Sequence, residues 1–565
     1  MHNLSAIVLL LAWLMPLHFL PWVSWHSEML AFFAVFISAW AMLIRFAQNG
    51  RSNTFKVPFL IVPCLILALI AFIQGATGHI AFWGDALVIA LYLVLCAICL
   101  VLGFATNGQT AVSGAAIDYG NRAVTLLAYT LTLGAFLSAV VEFSQVFELW
   151  EEFTLINRMP QLRRPGGNLG QPNHLATLLL MGIASLLYLS ELGKLKALPS
   201  ALILMVLCMA LAVTESRTGA LSLLLLSGWW FLKKKKVGFK LSPWINALTV
   251  ICFLGFFWAW PSFFAFVQQI TGRSLAINID AGSRFVVWPQ LLEALAQRPW
   301  WGWGLGRVSE AHNTVAHAYA VSEPFSYSHN ILLDLALGIG IPLTILLMLV
   351  TGVWLWRRVR LSNQLLSWYC LALALPMAVH SMLEFPFAYA YFLVPVMFAL
   401  GALEGIVRNK SVLRIGVRPA AAVLLGVSIV AAWSAVEYFA IEEDFRIARF
   451  EALRVGKTPI EYRRPKIVLL TQLDALLDGV RISPKPDMTA EELELAKKVA
   501  LRYAWTATQN RYALSLALNG NPEEAVRQLR VMRALHGERT YKEIKANWNA
   551  LAQDKYPQLR GLTLP

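Results

Sequence analysis

Five short polar segments interrupt a long apolar chain, and each carries residue types that bind an anion, position a hydroxyl or move a proton. The first is Arg163-Arg164-Pro165-Gly166-Gly167-Asn168-Leu169-Gly170-Gln171-Pro172-Asn173-His174. Its glycines allow positive φ and close backbone approach, Pro172 suits a first helical turn, and Gln171 and Asn173 supply oriented donors and acceptors. The plainer alternative is a glycine turn ahead of a capped helix. The second is Glu215-Ser216-Arg217-Thr218-Gly219. Here Arg217 either snorkels or pairs with Glu215, or its guanidinium fork holds a phosphate. The third, Gly282-Ser283-Arg284-Phe285-Val286-Val287-Trp288, runs on toward Arg298-Pro299-Trp300-Trp301-Gly302-Trp303-Gly304. A serine cap, an arginine and an aromatic turn fit an amphipathic helix lying on a membrane surface. Arg284 is then an interfacial anchor or a ligand, and two arginines at separate breaks favour one shared anionic ligand.

The fourth segment is Ser326-Tyr327-Ser328-His329-Asn330-Ile331-Leu332-Leu333-Asp334. A histidine is the natural general base near neutral pH, although one at a helix start also serves structure. His312 and His317, upstream, are expected in a flexible loop and are weaker candidates. The fifth, His380-Ser381-Met382-Leu383-Glu384-Phe385-Pro386-Phe387-Ala388-Tyr389-Ala390-Tyr391, joins a histidine, a carboxylate and tyrosines. An interfacial aromatic belt accounts for Tyr389 and Tyr391 but not for Glu384.

Apolar helices must hold these segments. Of 565 residues, 58% are apolar and 14% charged, with a mean hydropathy of +0.59; soluble domains run nearer 45–50% and about 25%. A soluble globule, a disordered chain and a small disulfide scaffold are thereby excluded. Runs long enough to cross a bilayer lie near 4–20, 28–46, 57–74, 86–105, 123–141, 172–190, 198–214, 219–232, 244–265, 329–355, 363–380, 387–405 and 419–437. They predict an all-α polytopic membrane protein with about thirteen transmembrane helices. The six cysteines all fall in apolar stretches, so neither disulfides nor a thiolate metal site is expected, and the Cys96/Cys99 pair reads as packing. The first apolar run, with no preceding cation and no cleavage site, is expected to be retained as a span.

The chain carries 47 Lys+Arg against 33 Asp+Glu, a formal net charge of +14. The positives do not gather into one nucleic-acid-binding domain. Arg45, Arg51 and Lys56, then Lys194 and Lys196, Lys233 to Lys236, Arg357, Arg358 and Arg360, and Arg408, Lys410, Arg414 and Arg418 follow alternate spans. That alternation sets topology: N-terminus cytoplasmic, an odd number of spans, and the C-terminal segment outside. The outer connections near 142–171 and 266–328 then carry the candidate chemistry on a membrane domain over 1–437. A soluble helical segment over 438–565 follows, where Tyr503 to Ala525 resembles one tetratricopeptide-like hairpin. This tail is either a small domain packed on the membrane part or a dock for an acceptor protein. A secondary transporter is the reading from another class, but transporters place ionisable groups near the midplane, whereas these gather at the outer boundary.

In this order on one face, the motifs resemble the O-antigen ligase/polymerase (Wzy/WaaL) superfamily of bacterial glycosyltransferases, and within it the PglL-type protein O-oligosaccharyltransferases. The stretch 164–173, Ser-Arg-Thr-Gly at 216–219, Ser-Arg and Trp at 283–288, Ser-His-Asn at 328–330 and Glu-Phe-Pro at 384–386 carry the likeness. The resemblance implies a GT-C-like fold in the bacterial inner membrane with a periplasmic active site and tail. It also implies en bloc glycan transfer from undecaprenyl diphosphate to Ser/Thr hydroxyls of an exported, pilin-like protein. Arg217 and Arg284 would hold the donor diphosphate, and His329 would take the acceptor proton. Gln171, Asn173, Arg164, Glu384 and Tyr389 would position substrate. No metal, cofactor or nucleic acid is implied. Ligation of O-antigen to lipid A-core and polymerisation of carrier-linked glycan are the sister activities; the Gln-Pro-Asn motif and the long tail favour protein transfer.

Overall fold

The computed structural model describes residues 2–48, 54–108, 115–149, 154–158, 164–271, 283–407 and 412–565. Arg51, Arg163, Gly282, Arg408 and Lys410 lie outside them. The first helices among the described residues are α1 (His2–Leu14), α2 (Trp25–Gln48), α3 (Ile61–Ala76), α4 (Trp83–Gly108), α5 (Ala115–Val146), α6 (Pro172–Glu191), α7 (Ala197–Val213), α8 (Arg217–Val237) and α9 (Pro243–Thr271). Two short helices, α10 (Ser283–Gln297) and α11 (Val308–Ala316), precede α12 (Ile331–Ile339), α13 (Ile341–Leu361), α14 (Leu365–Ser381), α15 (Ala390–Ile406) and α16 (Val417–Leu453). The tail adds α17 (Thr471–Arg481), α18 (Ala490–Arg502), α19 (Thr506–Leu518) and α20 (Pro522–Asp554). Strands β1 (Thr54–Pro58) and β2 (Val412–Gly416) pair antiparallel, Thr54 opposite Gly416.

Among the described residues, α2, α4, α5, α6, α9, α13 and α16 are long and apolar enough to span a bilayer, and α1, α3, α7, α14 and α15 are shorter apolar helices. The chain is an all-helical, multi-pass membrane protein. Each expected span overlaps a helix, but the one expected over 329–355 is two. Gly340 interrupts it at φ 83°, where an added Cβ would lie 2.1 Å from the Trp300 carbonyl oxygen. A nine-residue α12, at about 1.5 Å per residue, falls far short of the roughly 30 Å apolar core.

Two compact units divide the chain. The first comprises Met1–Leu67, Leu91–Asn278 and Thr351–Val430. Its centre is α6, buried along almost its whole length against α5 and α14. Small residues let the backbones meet: a Cβ on Gly182 would lie 2.3 Å from that of Ala135, and Cβ atoms on Gly103 and Gly401 would strike the carbonyls of Phe398 and Leu100. Not every cation sits in a solvated cluster. Arg358 is buried against Glu404, which also accepts from Trp354 Nε1 at 2.8 Å, and buried Lys233 donates to the Val359 carbonyl.

The second unit comprises Ala68–Ala90, Ile279–Val350 and Ala431–Pro565. Val287, Leu291, Trp303, Val308, Ala311 and Leu337 form a core under α10 to α12. The α19–α20 hairpin turns through Gly520 at φ 80° and buries Ala513, Leu529 and Trp548. This tail grips the segments before it. Ala316 packs with Val531 and Leu535, the Ser322 amide donates to the Ala534 carbonyl at 2.9 Å, and Asn313 exchanges amide hydrogen bonds with Gln528. At the start of α4, Asp85 accepts from both Arg502 Nε and Nη2 at 2.9 Å, and the Gly84 amide donates to Thr471.

Candidate active site

In the first unit, three breaks between apolar helices bring their polar residues together. Before α6, Gly167 at φ 57° opens a tight turn that Gln145 holds at both backbone poles. The Gly167 amide donates to Gln145 Oε1 at 2.9 Å, and Gln145 Nε2 donates to the Gly167 carbonyl at 3.1 Å. Asn168 anchors the same turn, donating to the Leu14 and Leu155 carbonyls while its own carbonyl meets His18 Nε2 at 2.7 Å. The turn delivers Gln171 as the N-cap of α6, its Oε1 accepting from the His174 amide at 2.6 Å, with Pro172 in the first turn. The carbonyl oxygen is thus spent on the helix.

Asn173 joins the other two breaks. Its Oδ1 accepts from Ser216 Oγ at 2.7 Å, and its Nδ2 donates to Glu384 Oε1 at 3.3 Å. Ser216 in turn caps α8 by accepting from the Gly219 amide at 2.9 Å. Below them, buried His174 has Tyr389 at 4.5 Å between ring centroids, and His380 Nδ1 lies 2.7 Å from Thr177 Oγ1. Arg164 donates to the Glu215 carbonyl at 2.7 Å and lies in the electrostatic field of Glu215, Glu384 and Arg217.

Arg217 itself is exposed and makes no hydrogen bond or ion pair among the described residues. The expected alternative, pairing with Glu215, is not what the structure has: Arg164 takes the Glu215 carbonyl instead. Arg217 is the first residue of α8, the positive end of the helix dipole, where a cation is disfavoured and an anion is attracted. Cap, dipole and guanidinium therefore all point toward a negatively charged ligand.

The second unit carries Arg284 and His329. Arg284 lies in the first turn of α10, and from the same helix Trp288 Nε1 donates to the Ser328 carbonyl at 2.7 Å. His329 adopts φ 61°, a left-handed conformation costing a non-glycine residue about 1–2 kcal/mol. Strain of this kind persists only where surrounding bonds over-determine the backbone. Here Asn330 caps α12 by accepting from the Leu332 and Leu333 amides, and Ser328 donates through both its amide and its hydroxyl to Asp334, the latter at 2.8 Å. Burial pushes the Asp334 carboxyl up to about 6, against the hydrogen bonds from Ser328 and the charge of His329. Phe325 covers the imidazole at 4.4 Å between centroids.

Asp334 had no assigned role in the sequence, although it closes the Ser-His-Asn segment; an acid six residues after a serine at a helix start was the available signal. His312 is a correction in the other direction. It sits on α11, not in a flexible loop, and is buried with Nε2 2.8 Å from Gln290 Oε1 and 3.0 Å from Ser322 Oγ. Burial lowers it to about 4, so it is a neutral strut between α10 and the following loop.

Comparison with known proteins covers these segments in turn. A family described as a protein glycosylation ligase matches residues 165–189, the turn and α6; one described as an O-antigen ligase matches 200–348, including Arg217, Arg284 and His329. A virulence factor membrane-bound polymerase, C-terminal family matches 368–550, from Glu384 and Tyr389 through most of the tail. A general O-oligosaccharyltransferase of Acinetobacter baylyi is 26% identical over 546 residues, 94% of this chain and 92% of that protein. A ComP-specific O-oligosaccharyltransferase of the same organism is 30% identical over 352 residues, 60% of each chain. The chain belongs to the O-antigen ligase family of membrane glycosyltransferases, within its PglL-type protein O-oligosaccharyltransferases.

Proposed function

We propose that this oligosaccharyltransferase moves a glycan en bloc from undecaprenyl diphosphate to a Ser or Thr hydroxyl of an exported, pilin-like protein at the periplasmic face of the bacterial inner membrane. The acceptor oxygen attacks the anomeric carbon as its proton passes to His329. The bond from that carbon to the diphosphate oxygen breaks, and the electron pair leaves with the diphosphate, whose growing charge Arg217 and Arg284 neutralise. A single displacement inverts the anomeric configuration. Asn173, Glu384, Arg164, Gln171 and Tyr389 position substrate in this reading, and Asp334 holds the Ser328 backbone beside the base.

The observation that carries the reading is Arg217: an exposed guanidinium on a capped helix N-terminus, beside a polar cluster whose other members bond to one another. The experiment is expression of the full chain with a carrier-linked glycan pathway and a pilin, followed by mass spectrometry of the pilin. Glycan on a pilin Ser or Thr, lost with His329→Ala, is the expected result. Glycan on lipid A-core with none on the pilin assigns the chain to the ligase activity instead.

A further inference from the structure

Within the second unit, the turn from Arg298 to Gly306 is built to send two tryptophans outward and one inward. Trp303 is buried and donates Nε1 to the Ala294 carbonyl at 2.9 Å, while its amide reaches the Leu337 carbonyl at 2.6 Å. Gly302, at φ 70°, passes so close to α12 that a Cβ would lie 2.5 Å from the Leu337 carbonyl oxygen. With the inner face so filled, Trp300 and Trp301 are 71% and 81% exposed. Exposed indoles beside the start of an apolar helix, here Ile341, are the mark of a membrane–water interface. Leu69 and Ile73, near the end of α3, are likewise exposed.

These tryptophans help to line a pocket of about 640 Å³ together with Arg298, Arg307, Glu310 and His79. The Arg298 guanidinium stands 4.2 Å above the Trp303 ring, a contact that uses the face of the indole and none of the arginine's N–H donors. Arg307 is held by Glu310 and the His79 carbonyl. Burial lowers it to about 10, and the positive charge of Arg298 adds to the shift. Both guanidiniums line the pocket: Glu310 pairs with Arg307, which also lies in the field of Asp85, and Arg298 makes no ion pair among the described residues.

We infer that this pocket binds the phosphate of a membrane lipid, Arg298 donating to it while Trp300 and Trp301 lie along the lipid's apolar chain. The phosphate belongs either to a glycerophospholipid headgroup or to a prenyl carrier; the two share the recognised chemistry. None of these residues takes part in the transfer step proposed above, so failure of this inference leaves that step standing.

The test uses the purified full-length protein exchanged into neutral detergent, with native mass spectrometry and three probes: dioleoyl phosphatidylglycerol, farnesyl diphosphate and inorganic phosphate. Retention of either lipid, weakened about tenfold by Arg298→Gln, is expected from the loss of a charge-assisted bond. Trp300→Ala/Trp301→Ala should weaken it independently, since both rings are at the surface and their removal leaves the buried Trp303 in place. The lipid that is retained names the source. Lipid retention unchanged in both variants overturns the inference, and so does binding of inorganic phosphate with neither lipid retained.

Discussion

The two units reach the same end, a polar residue poised at a helix start, by opposite means. In the first, Gln171 caps α6, while Ser216 both caps α8 and donates to Asn173, which ties it to Glu384. Membrane helices supply the rigidity, and Asn173, Ser216 and Glu384 bond to one another while Arg217 makes no hydrogen bond or ion pair among the described residues. In the second, His329 immediately precedes the cap of α12. Its order comes from α10 and α11 and from the C-terminal helices that hold α11 and the following loop. The first cluster is tied across its breaks by Asn173, whereas the second rests on the C-terminal helices as well as on its own caps. Substitutions should therefore behave differently in the two.

The largest effect is expected at His329. Replacing a general base typically costs about 10²–10⁴ in rate, so His329→Ala should lower kcat by that range in transfer from a synthetic polyprenyl diphosphate donor to purified acceptor, with an unchanged melting temperature. Relief of the positive-φ strain should even favour His329→Gly in stability, while leaving it as inactive as the alanine variant. Arg217→Ala comes next, at about 10²-fold in kcat, the scale of one lost electrostatic stabiliser. Arg217→Lys should recover only part, because an ammonium lacks the bidentate fork. Because Arg217 makes no bond to its own unit, its loss should leave folding untouched, and a lowered melting temperature would count against its role as a ligand.

A smaller effect, about tenfold in kcat, is expected for Asp334→Asn, and here pH separates positioning from simple packing. The Asp334 carboxyl rises from 3.8 to about 6 on folding, so the folded chain holds this proton more tightly than the unfolded one. Its contribution to stability is present in full below about 4 and falls as pH rises through about 6. Melting curves between pH 4 and 7 should show that slope in the parent and lose it in Asp334→Asn. The acid limb of the rate profile should change shape in the same variant if the carboxylate steadies the imidazole.

Much of this was legible in one sequence, for a physical reason. Bilayer-length apolar runs, Ser, Asn and Gln before helices, and glycines at positive φ are local signals, and they located α2, α6 and α8. The break at Gly340 was missed because Gly338-Ile339-Gly340 sits inside an unbroken apolar run, and what bends it is the Trp300 backbone some forty residues earlier. Gln145 and His18, which help Asn168 to build the turn before α6, were missed for the same kind of reason. A His18–Asn168 contact spans 150 positions, and nothing in either residue's neighbourhood names the other. The tail looked separable in composition, yet it bonds to residues 192 and 417 positions away.

The smallest effect on rate, and the sharpest test of the contrast, is expected at the Asp85–Arg502 pair. Its side chains are 15% and 31% exposed, between the surface pairs worth about 0–1 kcal/mol and the buried ones costing about 3–5 kcal/mol to break. Asp85→Asn should therefore loosen the tail without unfolding the membrane helices, seen as faster hydrogen exchange across 308–335 and faster tryptic cleavage between α18 and α19. If the tail only presents the acceptor, the variant should raise KM for acceptor protein and leave kcat alone. If the tail also steadies the loop that ends in His329, kcat should fall a few-fold at saturating acceptor, because Arg502 lies in the electrostatic reach of Tyr327, two residues from the base. The packing of Val531 and Leu535 on Ala316 and the Ser322–Ala534 bond favour the second outcome. The corresponding break in the first unit, Asn173→Ala, should leave hydrogen exchange across α6 unchanged, since α5, α7, α8 and α14 pack against that helix.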